Sequence, residues 1–186
     1  MVSTGDLVVA HNVYESSVRP GVSSLALFAY AGEDTVGHAE MVVVDLDLVS
    51  AHDMVAAVFT TPGGSGYLAE AALEIKPRPA RLALVDNVYV HPEWRGRDLG
   101  RTLAEMLSSY AGGDGAAMVY LPWPADLDED GEHHSRDDVF AAAARLQRLW
   151  ASLGASAVPG RAGCWWTTPA QVRRSRAGIG AEERPA

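Results

Sequence analysis

The stretch VYVHPEWRGRDLGRTLAEML, residues 88–107, joins a β-branched run to a helix through a bend holding Arg95, Arg97 and Arg101 with Gly96 and Gly100. A plain connector of about two to six residues needs no such concentration of cation. Beyond the bend, Leu99, Leu103, Met106, Leu107 and Tyr110 recur at i, i+4, i+7, i+8 and i+11, which is one apolar face of a helix. The order strand, proline, arginine turn, helix gathers the unbonded N–H groups of the turn and the helix start around one point, with the positive end of the helix dipole. Such a point attracts an anion, and several charge-assisted hydrogen bonds of about 1.5–3 kcal/mol each are enough to hold a diphosphate. A solvated arginine loop, its glycines serving turn geometry alone, is the reading that the turn by itself leaves open.

Outward from this stretch, RLALVDNVYV (81–90) reads as the strand that feeds it, and AAMVYLP (116–122) as the next strand after Gly112 and Gly113 close the helix. Before it, DLVVAHNVY (6–14), SLALFAY (24–30) and HAEMVVVDLD (38–47) have strand composition, with AGEDTVG as a hairpin connection, so the chain opens on an antiparallel meander. Ser50 and Asp53 form a capping box for a helix over AHDMVAAVF, and YLAEAALEI (67–75) makes a second helix that Pro77 and Pro79 end. Ser135 and Asp138 cap another helix, along which Val139, Ala143, Leu146, Trp150 and Leu153 run to Gly154. Short strands around SAV (156–158) and GCWWTT (163–168) follow. The pattern is that of an α/β fold with a mixed sheet.

Length and charge bound what this fold can do. At 186 residues there is room for one well-buried core, so residues 1–170 read as a single domain and 171–186 as a flexible tail. A net charge of −9 argues against broad binding to nucleic acid or to an anionic membrane, though a local basic pocket is compatible with it. The lone Cys164 excludes an internal disulfide framework, MVSTGDLVVAH lacks the pattern of a secretion signal, and no apolar run approaches the roughly 18 residues that cross a bilayer. The chain reads as soluble and cytoplasmic.

Set in this order of elements, residues 88–107 resemble motif A of the GCN5-related N-acetyltransferase (GNAT) family, whose signature is Gln/Arg-x-x-Gly-x-Gly/Ala after the fourth strand. Arg95, Leu99 and Gly100 fit it, and Asp98 stands where the first signature glycine is usual. LWASLGA, at the end of the 137–153 helix, is similar to the family's "FYxxLGF" segment. The resemblance covers about residues 24–168. It implies a GNAT-like mixed, mostly antiparallel sheet with splayed central strands and flanking helices. It also implies acetyl-CoA as cosubstrate: Val88, Tyr89 and Val90 offer backbone groups to the pantetheine arm, while Arg95, Gly96, Arg97, Asp98, Leu99, Gly100 and Arg101 wrap the pyrophosphate. Asp98 puts a carboxylate beside that pyrophosphate, a conflict removed if its side chain caps the helix by accepting N–H groups of Gly100 or Arg101. The family's first helices are replaced here by the helical stretch 50–75.

The activity so implied is transfer of an acetyl or other acyl group to an amine by direct attack on the thioester. The strand-four glutamate common in the family falls at Leu84, so Asp86, two residues on and expected on the same strand face, is the base candidate; hydrogen bonding of Asp86 and Asn87 to nearby backbone is the alternative. The usual proton-donating tyrosine falls at Trp150, whose indole cannot protonate a thiolate. Tyr120 and Tyr89 are the stand-ins, and the Val90 amide is the expected donor to the thioester carbonyl. Leu84 and Trp150 keep alive a second reading, a catalytically inactive acyl-CoA-binding sensor or interaction domain. The acceptor is a small-molecule or protein amine, with nucleic acid and membrane excluded as partners and a homodimer left open.

Other features carry less. ADLDEDGEHHSRDD (125–138) brings seven carboxylates, either a solvated loop or a lure for a cationic acceptor. His133 and His134 are adjacent rather than at i and i+4, so no metal site is expected. GGSG (63–66) lacks the lysine of a phosphate-binding loop, and Cys164 reads as core.

Overall fold

The structure, a computed structural model, describes residues 7–15, 20–50, 53, 66–113, 115–121, 135–161 and 163–182. Strands β1 (Leu7–Glu15), β2 (Val22–Ala31) and β3 (Asp34–Asp45) form the expected meander, with β2 and β3 turning tightly between Ala31 and Asp34. Helix α1 (Gly66–Ala72) leads to β4 (Arg81–Val90), a 3₁₀ turn (Pro92–Trp94), α2 (Leu99–Ala111) and β5 (Ala116–Tyr120). Then come α3 (Arg136–Ser152), β6 (Ser156–Ala157), β7 (Trp165–Thr167) and α4 (Pro169–Glu182). The strands lie in the order β1-β2-β3-β4-β5-β7-β6, antiparallel throughout except for the parallel pair β4–β5.

Two apolar cores flank this sheet. On one face Leu68, Ala69, Ala71 and Ala72 of α1 pack with Leu82, Leu84, Ala117 and Val119. On the other, Leu99, Leu103, Leu107 and Ala111 of α2 pack with Leu27, Met41, Ala83, Val85 and Met118. Strand β5 is buried along its whole length, as an interior strand between parallel and antiparallel neighbours must be.

Helix starts follow the capping logic where it can be checked. Ser135 Oγ accepts from the Asp138 amide at 3.2 Å and donates to its carboxylate at 2.6 Å, the reciprocal pair of a capping box. The Asp53 amide likewise donates to Ser50 Oγ, but the helix expected behind it, the acidic loop before Ser135, and the histidine pair lie outside the described residues. Of the helical stretch 50–75, the structure describes α1. The segment from Gln171, expected as a tail, is helical through Glu182, and its Val172 is buried in the second core; three closely spaced arginines do not stop a helix when one apolar residue can dock.

Two irregularities position the site. The β4–β5 ladder ends at Val85 and Tyr120, whereas β3 accompanies β4 as far as Val90. Past Val85, therefore, the β5-facing edge of β4 pairs with no strand among the described residues. The β3–β4 register also slips: Glu40 faces Asn87 and Met41 faces Val85, leaving Asp86 as an extra residue on β4. A bulge of this kind bends its strand and re-aims side chains. Here it reverses the alternation, because Ala83 and Val85 precede it in the same core that Val88 and Val90 join after it.

Candidate functional site

A cavity of about 290 Å³ opens where β4 leaves β5. Its walls are the free half of β4 (Asn87, Val88, Tyr89, Val90), the turn (Trp94, Arg95, Gly96, Asp98), the start of α2 (Leu99, Gly100, Arg101) and one side of α3. Every residue assigned from sequence to the donor lines it except Arg97. The guanidinium of Arg97 instead lies 4.9 Å from the centroid of the Trp94 ring, a cation–π contact that keeps it at the rim.

The three arginines are thus held differently. Arg95 Nε donates to the Val90 carbonyl at 3.0 Å, strapping the turn to the end of β4. Arg101 pairs with Glu105 at 3.2 Å and reaches the Ser152 carbonyl at 3.4 Å, so it lines the cavity while tied to α2 and to the end of α3.

Asp98 corrects an expectation. It is the N-cap residue of α2, yet its side chain makes no cap hydrogen bond. Its backbone is left-handed, with φ 59° and ψ 9°, a conformation in which a capping Asp does not ordinarily sit. A residue at this bend takes positive φ, which glycine adopts most readily, and Asp is among the few others that tolerate it. At Gly100 a Cβ would find Val90 and Leu149 at ordinary contact distances, so the absence of a side chain there serves the space in front of the helix rather than packing.

Helix α3 supplies what was missed. Ala142, Arg145, Leu146 and Leu149 face the turn across the cavity. Their i, i+3, i+4, i+7 spacing was visible, but nothing local tells which element a helix side will meet. Among the described residues Arg145 has no ion-pair partner, and it brings a positive charge to the α3 wall of the cavity.

At the vertex of the splay stand both groups expected to move protons. Asp86 is the bulged residue, the extra one that the register leaves on β4 between Val85, paired with Met41, and Asn87, paired with Glu40. Burial raises its carboxyl above the ordinary value, and the nearby charge of Glu40 raises it further, although the side chain keeps contact with solvent. Both effects make it a stronger base than a free aspartate.

Tyr120 faces Val85 across the last rung of the β4–β5 ladder. Its ring stacks on Trp150 at 3.8 Å, and its hydroxyl is buried with no hydrogen-bond partner among the described residues. Burial drives the phenol far above its ordinary value, so it remains a protonated donor. It lies outside the residues that line the cavity, as does Trp150. Tyr89, the other stand-in, lines the cavity and stacks on His38 at 5.2 Å. Cys164 is buried in the first core.

Among the described residues, no cluster of three or more His, Cys, Asp or Glu side chains could hold a metal, and no helix is long and apolar enough to cross a membrane. A search of curated proteins gives no match. A scan against family models matches the acetyltransferase (GNAT) family over residues 14–136, a span that holds β2 and β3 of the meander, the splayed strand and the arginine turn. With that match over well more than half of the chain, and with the bulged, splayed fourth strand beside it, the chain belongs to the GNAT acetyltransferase family.

Proposed function

We propose that this chain transfers an acetyl group from acetyl-CoA to an amine by direct attack. The carrying observation is the cavity itself, in which the unpaired edge of β4 runs straight into a turn and helix start rich in N–H donors. That edge suits the amides of a pantetheine arm, and the turn with Arg95, Arg97 and Arg145 suits a diphosphate. The Val90 amide, close to the turn, supports the role of donor to the thioester oxygen.

The amine nitrogen forms a C–N bond to the thioester carbon as the C–S bond breaks. A lysine-like amine must first lose a proton, at a cost of roughly 4–5 kcal/mol at pH 7. Asp86, raised by burial, takes that proton directly or through water, and Tyr120 serves as proton source for the thiolate.

The second reading, a CoA-binding domain without turnover, draws support from Trp150, which fills the usual place of the acid and stacks on Tyr120. Thiol release from acetyl-CoA across a panel of amines, with calorimetric CoA binding in parallel, separates the two. Amine-dependent thiol supports transfer. Tight CoA binding with no thiol from any amine supports the sensor, and no binding removes both.

A further inference from the structure

The sheet face opposite α2 carries, at its β1–β4 end, side chains that belong to neither core. Register arranges them in two adjacent rungs. Ala10, Phe28, His38 and Tyr89 form one across β1 to β4, and Asn12, Ala26, Glu40 and Asn87 form the next, with the extra residue Asp86 at its end. The first rung is aromatic: His38 stacks on Tyr89 at 5.2 Å, and Phe28 lies 6.5 Å from Tyr30 beside it. All four rings are half-buried, offering flat apolar surface to a ligand.

The second rung is polar and negative. Glu40 and Asp86 lie close enough to repel each other, and among the described residues neither has an ion-pair partner. The Asn87 amide contacts His38 Nε2 at 3.1 Å, joining the two rungs and fixing the imidazole.

Resting on the transferase reading above, we infer that this face is the acceptor groove and that its substrate is an arylalkylamine-like cation. Its ammonium sits between Glu40 and Asp86, and its ring lies on Phe28, His38 and Tyr89. Same-face rungs are about 7 Å apart along a strand, so the amine hangs from the ring on a short arm of about two or three methylenes. Asp86 then stands next to the nitrogen it deprotonates, while Glu40 binds the cation without touching the acyl carbon. A polyamine or amino sugar uses the carboxylates but covers less of the three rings than an aryl group does.

The test reads binding apart from turnover. Phenylalkylamines with arms of one to four methylenes are titrated calorimetrically into the intact chain saturated with CoA, alongside n-hexylamine, spermidine and 2-phenylethanol. The expected result is tightest binding for an arm of two or three methylenes, about tenfold tighter than n-hexylamine, with 2-phenylethanol weakest. Glu40→Gln should raise the amine KM about tenfold with little change in kcat, and Phe28→Ala should level the aryl and alkyl amines. Preference for spermidine, or equal binding of 2-phenylethanol and its amine, overturns the groove assignment. CoA binding without any amine binding overturns it too and leaves the donor site standing. Should CoA fail to bind, the transferase reading falls, while the amine titration still decides whether the groove exists.

Discussion

On the α2 side of β4 the cavity is walled largely by one stretch of chain between Asn87 and Arg101, with one side of α3 across from it. On the opposite side the groove is made of side chains drawn from β2, β3 and β4, with Phe28, His38 and Tyr89 in one rung. The first surface suits a ligand whose polar groups are fixed, since N–H groups at a helix start recognise charge and position more than shape. The second can change with every substitution at its few positions without disturbing the fold. One fold can thus keep its donor while changing its acceptor. The two surfaces meet at the bulge, where Asp86 stands beside Asn87, a residue of the cavity wall.

The sharpest way to break this comparison is at the meeting point. Asp86→Asn should lower kcat by about 10²-fold or more, the usual scale for loss of a general base, with CoA affinity unchanged by calorimetry. A loss of CoA binding would instead make Asp86 part of the donor wall. Its carboxyl is raised in the folded chain, so the folded state holds that proton more tightly than the unfolded state does. The stabilisation from Asp86 is full below the ordinary carboxylate range and lost as pH rises through the raised value. Asp86→Asn lacks this loss, so its stability relative to the parent should improve as pH rises above the ordinary carboxylate range in denaturant titrations.

Next in size is the donor wall. Arg95→Ala with Arg145→Ala should weaken CoA by about 10²-fold, on the scale of two charge-assisted hydrogen bonds, and leave pantetheine nearly untouched. Equal losses for both ligands would mean that Arg95 matters as the strap to Val90 rather than as an anion contact.

Tyr120→Phe is a smaller and more discriminating change. Removing a buried hydroxyl that lacks a partner should raise stability by about 1 kcal/mol, visible as a higher Tm. A rate about tenfold lower alongside that gain identifies a proton donor, whereas an unchanged rate makes Tyr120 a core ring packed on Trp150.

Smallest is Asp98→Gly. Relief of left-handed strain is worth about 1–2 kcal/mol, and the added freedom of the unfolded chain takes back about 0.4–1, so stability should move by about 1 kcal/mol or less. Affinity for CoA should improve a few-fold as a carboxylate leaves the diphosphate, and weaker binding would show that Asp98 contributes a contact of its own.

The cavity wall along β4 and α2 was legible before any fold was known, because its parts are consecutive: Val88 to Val90, the turn from Arg95, and Gly100 at the helix start. The groove was not. Phe28, His38 and Glu40 read as ordinary strand residues until register set them beside Tyr89 and Asp86. Asp86 itself was found, but not the bulge that sets it beside Asn87 opposite Glu40, since a bulge leaves no mark in a run such as RLALVDNVYV. Arg145 stayed hidden because helix α3 had to dock before its outer turn could face Arg95.

The sequence alone determined the local chemistry of this protein, namely periodicities that make the elements and a turn whose donors and arginines invite an anion. Both depend on neighbours a few residues away, within reach of helical and strand spacing. Only the tertiary structure decided where β4 parts from β5, which residue the register leaves over, and which rings share a rung. Those are long-range pairings, set by how the two cores close on the sheet.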